Sequence, residues 1–130
     1  MARILVIDDS EDIRRTLERL LAQAGHEVLL AADGVEGLRL WRERGADLVI
    51  TDLHMPDKDG IETLVELRAF GPGVPVIAIS GGDQTRRLDL LGDAALLGAV
   101  ATLAKPFTRD ELLGAVALAL DRPRPPAAPR

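Results

Sequence analysis

Cysteine is absent from the 130 residues of this chain, which excludes disulfides, thiolate zinc sites and thiol catalysis. Tyrosine is absent too, and aromatic residues make up only 2%. With 47% apolar residues the core must come from Leu, Val, Ile and Ala, a composition suited to helices packed on a parallel sheet. No basic block stands apart: 21 acids against 16 bases give a net charge of −5, so nucleic acid is not expected as a direct partner. Met1, Ala2 and Arg3 lead into an apolar strand without a charged-then-greasy leader, so no signal peptide is read. The longest apolar stretch, Ala94 to Ala104, is far shorter than the roughly 18 residues that span a bilayer. These features imply a cytoplasmic protein with no membrane partner.

Five short apolar runs are present and predict buried strands: Ile4 to Ile7, Val28 to Ala31, Leu48 to Ile50, Val76 to Ile79, and Val100 to Leu103. Between them run helical patterns. Ile13, Leu17, Leu20, Leu21 and Ala24 share one helix face, and Gly25 ends that helix. A second helix is expected from Val35 to Arg44 before Gly45, a third from Ile61 to Ala69, a fourth between Leu88 and Leu97, and a fifth from Thr108. Regular alternation of strand and helix implies right-handed crossovers, a parallel sheet and helices on both faces, an α/β fold. The chain then closes on DRPRPPAAPR, where repeated proline forbids regular hydrogen bonding. The expected organisation is one domain over residues 1–121 and a flexible tail over 122–130, the tail being alternatively the stub of a linker to an output domain.

The polar residues that end the strands carry the chemistry. Asp8 and Asp9 follow the first strand, Thr51 and Asp52 the third, Ser80 the fourth, and Lys105-Pro106 the fifth. In an open parallel sheet the carboxyl ends share one edge, and ligands bind there. Taken singly, an aspartate at a strand end is an ordinary helix N-cap. Three together are different, because two carboxylates about 4 Å apart repel by roughly 4 kcal/mol at an effective dielectric of about 20. A set of oxygen ligands favours a hard cation, Mg²⁺. Lysine is scarce, only Lys58 and Lys105, and a compact ammonium opposite the acids suits a phosphoryl oxygen.

Asp8-Asp9, the run from Asp52 through Leu53, His54, Met55, Pro56, Asp57, Lys58 and Asp59 to Gly60, the Ser80 strand end, and Lys105-Pro106-Phe107 together resemble the receiver domain of bacterial two-component response regulators. The resemblance covers residues 3–120 and is closest to the single-domain, chemotaxis-regulator-like kind. It implies a flavodoxin-like (βα)5 three-layer sandwich with a five-stranded parallel sheet of order 2-1-3-4-5. It further implies Asp52 as phosphoacceptor, with Asp9, Asp52 and the His54 carbonyl ligating Mg²⁺ and Asp8 acting through a metal-bound water. Ser80 would hydrogen-bond the phosphoryl group and Lys105 would pair with it. The donor would be a sensor histidine kinase or a histidine phosphotransfer protein, and a downstream protein target would read the result. On this view the chain is not an enzyme, catalysing only its own phosphorylation and dephosphorylation.

Other readings fit less well. A haloacid dehalogenase-like phosphatase needs its second aspartate two residues after the first, where this chain has Ser10. A calcium loop through Asp57, Asp59, Gly60 and Glu66 fails because its first ligand falls on Met55. A receiver-like binding module that never takes phosphate remains the alternative. Trp41 is expected to cover the core edge, His26 to sit in a surface turn, and His54 to border the phosphoryl group and bias its hydrolysis. One position departs from the family: Thr102 stands where many receivers carry an aromatic ring. That substitution predicts that Ser80 to Leu88, with Gly81 and Gly82, carries most of the activation response.

Overall fold

The computed structural model describes residues 2–52, 73–80 and 99–121, with Ser80 described through its backbone alone. The expected third and fourth helices, the segment from Leu53 to Gly60, the glycines after Ser80 and the proline-rich tail lie outside the described residues.

The strands are β1 (Arg3–Ile7), β2 (Glu27–Ala31), β3 (Leu48–Asp52), β4 (Val76–Ser80) and β5 (Ala101–Ala104). They form one parallel sheet in the order β2-β1-β3-β4-β5. The described helices are α1 (Glu11–Gln23), α2 (Gly34–Arg44) and the C-terminal α3 (Arg109–Asp121). The order and direction are those expected of the flavodoxin-like class.

Strand periodicity divides the core into two layers. Leu5, Ile7, Val49, Val76 and Ala78 point to one face and pack with Leu38 of α2. Ile4, Val6, Leu48, Ile50, Ile77 and Ile79 point to the other, against Leu17 and Leu21 of α1 and Leu112, Val116 and Ala119 of α3. Both faces of β1 and β3 are therefore covered, which is why these strands read as continuous apolar runs rather than alternating ones. Each fully buried Leu or Ile contributes about 1.5–3 kcal/mol of transfer free energy.

Local chemistry fixes the helix ends. The Ser10 hydroxyl accepts from the Ile13 amide at 3.3 Å and Asp33 accepts from the Glu36 amide at 2.8 Å. Thr108 and Glu111 form a reciprocal capping box, at 3.0 and 3.1 Å. Gly25 and Gly45 follow α1 and α2 at positive φ, where a side chain would be strained. Gly37 lets α2 approach β1, since a Cβ there would overlap the side chain of Ile7. Trp41 packs half-buried against the α2 layer, as expected. His26 does more than occupy a turn, because its Nδ1 accepts from the Ala2 amide at 3.2 Å.

Candidate functional site

The strand register brings the expected residues to one edge. Ile7 pairs with Thr51, Asp52 with Ile79, and Ser80 with Ala104, so Asp8, Asp52, Ser80 and Lys105 stand at neighbouring carboxyl ends. Asp8, Asp9 and Asp52 each offer a carboxylate oxygen, and these oxygens all lie within 4.8 Å of one another. Asp8 is 1% and Asp52 3% exposed, whereas Asp9 is exposed. Lys105 Nζ lies 3.2 Å from Asp52 Oδ2 and 3.4 Å from Asp8 Oδ2. The Lys105–Pro106 peptide bond is cis. Among the described residues, three carboxylates face one ammonium.

The burial of that charge has visible consequences. Desolvation pushes the Asp8 carboxyl up to about 6; the hydrogen bond from the Ser10 amide opposes the rise, the charge of Asp52 adds to it, and Lys105 opposes it. Burial also works against the Lys105 ammonium, but Asp52 and then Asp8 outweigh it and hold the pKa above the ordinary lysine value. Asp8 Oδ1 accepts from the Ser10 amide at 2.8 Å. Asp8 Oδ2 is buried with no hydrogen-bond partner among the described residues and faces Lys105 only as an ion pair. A buried carboxylate oxygen left without a donor, inside an all-oxygen set of negative charge, fits a hard divalent cation. Mg²⁺ therefore suits the residues present.

The structure brings together several of the strand-end residues that the sequence singled out. Asp52 and Lys105 are brought together, Asp8 and Asp9 join them, and the Ser80 backbone closes β4 beside Lys105's strand. The Ser80 hydroxyl and His54 lie outside the described residues. Thr102 is exposed on β5, in register with Ala78. One contact was not foreseen. Arg14, in the first turns of α1, donates through Nη1 to the main-chain carbonyl of Asp8 at 2.7 Å. Its only sequence signal is a basic residue close behind the aspartate pair.

Comparison with known proteins gives the family. Residues 4–117 match the response regulator receiver domain family. The chain is 38% identical over 127 residues to the response regulator MprA of Mycobacterium sp. (strain KMS), covering 98% of this chain and 54% of that protein. It thus spans about half the length of the curated relatives it matches. Among solved structures, a response regulator receiver domain protein from Clostridium thermocellum superposes with a TM-score of 0.86 at 37% identity, over 93% of this chain and 95% of the other. The receiver domain of NtrX from Brucella abortus gives 0.84 at 32%, over 91% and 98%. The chain belongs to the response regulator receiver domain family.

Proposed function

We propose that this receiver takes a phosphoryl group from a phosphohistidine donor onto Asp52 in a Mg²⁺-dependent reaction and signals by protein contact or onward phosphotransfer. The observation that carries the reading is the cluster of Asp8, Asp9 and Asp52, two of the three buried, which among the described residues is opposed by Lys105. Asp9 and Asp52, with Asp8 behind them, would hold the metal. Bound Mg²⁺ supplies positive charge to the phosphoryl oxygens. Lys105 supplies a second, already oriented.

A carboxylate oxygen of Asp52 attacks phosphorus in line, the O–P bond forms as the P–N bond to the donor imidazole breaks, and the electron pair stays on that nitrogen. The product is an acyl phosphate on Asp52, and attack by water at phosphorus breaks the acyl O–P bond, returning the carboxylate and releasing inorganic phosphate. Lys105 must let go of Asp52 Oδ2 to follow the incoming charge. The protein turns over only itself, not a separate substrate. An apolar groove of about 410 Å³, lined by Ile13, Thr16, Leu17, Lys105, Pro106 and Phe107, opens on the Lys105 side of the site. No described helix is long and apolar enough to cross a membrane, in keeping with a cytoplasmic location as part of the proposal.

Beryllofluoride, an acyl-phosphate mimic, tests this reading. With Mg²⁺ it should shift the amide resonances around Asp52 and Lys105 in the wild type and not in Asp52→Asn. A wild type that ignores beryllofluoride at saturating Mg²⁺ would instead be a receiver-like binding module working without phosphate. The same spectra, read by hydrogen exchange, test whether the response is carried by residues 80–88 or by Thr102.

A further inference from the structure

Three ties hold the bend between β1 and α1. The Asp8 amide donates to the Ala31 carbonyl at 3.1 Å, the Asp8 side chain accepts from the Ser10 amide at 2.8 Å, and the Asp8 carbonyl accepts from Arg14 at 2.7 Å. The last tie is the one made by a long side chain reaching back from the helix. The carbonyl it holds belongs to the peptide group that joins Asp8 to Asp9. Rotation of that plane would redirect one carboxylate relative to the other, although Asp8 is buried and Asp9 exposed, and their oxygens now lie within 4.8 Å of each other and of Asp52.

We propose that Arg14 is a positioning residue for the metal pair, its guanidinium fixing the Asp8–Asp9 peptide plane so that both carboxylates converge with Asp52. The inference rests on the phosphoacceptor reading and adds a residue that this reading did not use. A charged donor makes a stronger bond than a neutral one, and the carbonyl, on a residue only 1% exposed, has little access to water as a substitute. The helix also lends rigidity: the Arg14 amide donates to the Ser10 carbonyl at 3.0 Å, locking the base of the side chain to the bend it holds.

Positioning and simple field effects predict opposite signs. As a mere positive charge near the acids, Arg14 repels a cation, and removing it would tighten Mg²⁺ binding. As a clamp on the peptide plane, its removal loosens binding. The test is an amide-NMR titration of Mg²⁺ into the full chain, comparing wild type, Arg14→Met, Arg14→Lys and, as a blank, Asp9→Ala. Arg14→Met should weaken affinity about tenfold, the low end of the effect seen for groups that orient metal ligands. Arg14→Lys, which keeps a charged donor, should recover most of it. In the metal-free protein, exchange at the Ser10 amide should quicken in Arg14→Met while the amides of β3 keep their protection. If Arg14→Met does not fold, Arg14→Gln carries the same comparison. Affinity in the neutral variant equal to or tighter than wild type, or unchanged Ser10 exchange, overturns the proposal. A wild type indistinguishable from the Asp9→Ala blank overturns the phosphoacceptor reading, and the proposal falls with it.

Discussion

The same strands carry charge at both ends, and the two ends handle it in opposite ways. At the amino edge, Arg3 pairs with Glu27 at 3.0 Å, Arg44 reaches Glu27 at 3.6 Å, and Asp47 accepts from the Arg3 amide at 2.9 Å. These groups are balanced in sign and largely open to solvent, so each pair contributes on the order of 0–1 kcal/mol. At the carboxyl edge, among the described residues, three acids face one ammonium and two of the acids are buried, an arrangement that costs stability unless a cation completes it. One cluster ties β1, β2, α2 and β3 together. The other concentrates charge that, on the proposed function, a bound cation completes.

The largest effect is expected at Asp9, the exposed member of the acid cluster. Mg²⁺ should raise the melting temperature of the wild type, since a ligand at about ten times its Kd stabilises the folded state by about 1.4 kcal/mol. Asp9→Ala should lose that rise and nearly all phosphorylation, whereas a full Mg²⁺ shift in this variant would mean the metal is held elsewhere.

Next is Asp8. Its folded carboxyl holds the proton to about pH 6, against 3.8 for the ordinary group, so the stability it contributes is complete below about pH 3.8 and is lost as pH rises through 6. At neutral pH without metal, Asp8→Asn should therefore be more stable than wild type, by on the order of 1–3 kcal/mol, and the gain should vanish below about pH 4. Urea unfolding across pH reads this directly. A gain independent of pH would show that packing, not charge, is responsible.

Lys105 should show a smaller and split response. Lys105→Met removes a cation that competes with metal for Asp8 and Asp52, so Mg²⁺ should bind a few-fold more tightly while the response to beryllofluoride weakens. Weakening of both would make the lysine a structural support instead. The smallest effect belongs to the amino edge. Glu27→Gln should lower stability by less than about 1 kcal/mol and leave phosphorylation rate unchanged. A large loss of phosphorylation there would break the distinction between the two ends.

Much of this was legible in the sequence, for physical reasons. The strands stood out because both faces of the sheet are covered, so Ile4 to Ile7 and Leu48 to Ile50 are apolar throughout. Their ends shifted by one or two residues: β2 begins at Glu27 and β3 runs through Asp52, since ladder hydrogen bonds extend into polar positions, and β5 is Ala101–Ala104 rather than Val100 to Leu103. Asp8, Asp9, Asp52 and Lys105 were recoverable because a parallel sheet sends every strand end to one edge. What the sequence hid were contacts between elements distant in the chain or made to main-chain atoms. The pairing of Arg3 with Glu27, the burial of Asp8 against the exposure of Asp9, and the reach of Arg14 to a carbonyl leave no pattern in residue order.

The most direct test of the central claim is the intact mass of the protein after incubation with a small-molecule phosphodonor, with and without Mg²⁺. Wild type with Mg²⁺ should gain a single phosphoryl group that is lost at alkaline pH, as an acyl phosphate is, while metal-free wild type and Asp52→Asn gain none. Equal labelling of Asp52→Asn, with the same stoichiometry and lifetime, would contradict the assignment of Asp52 as phosphoacceptor.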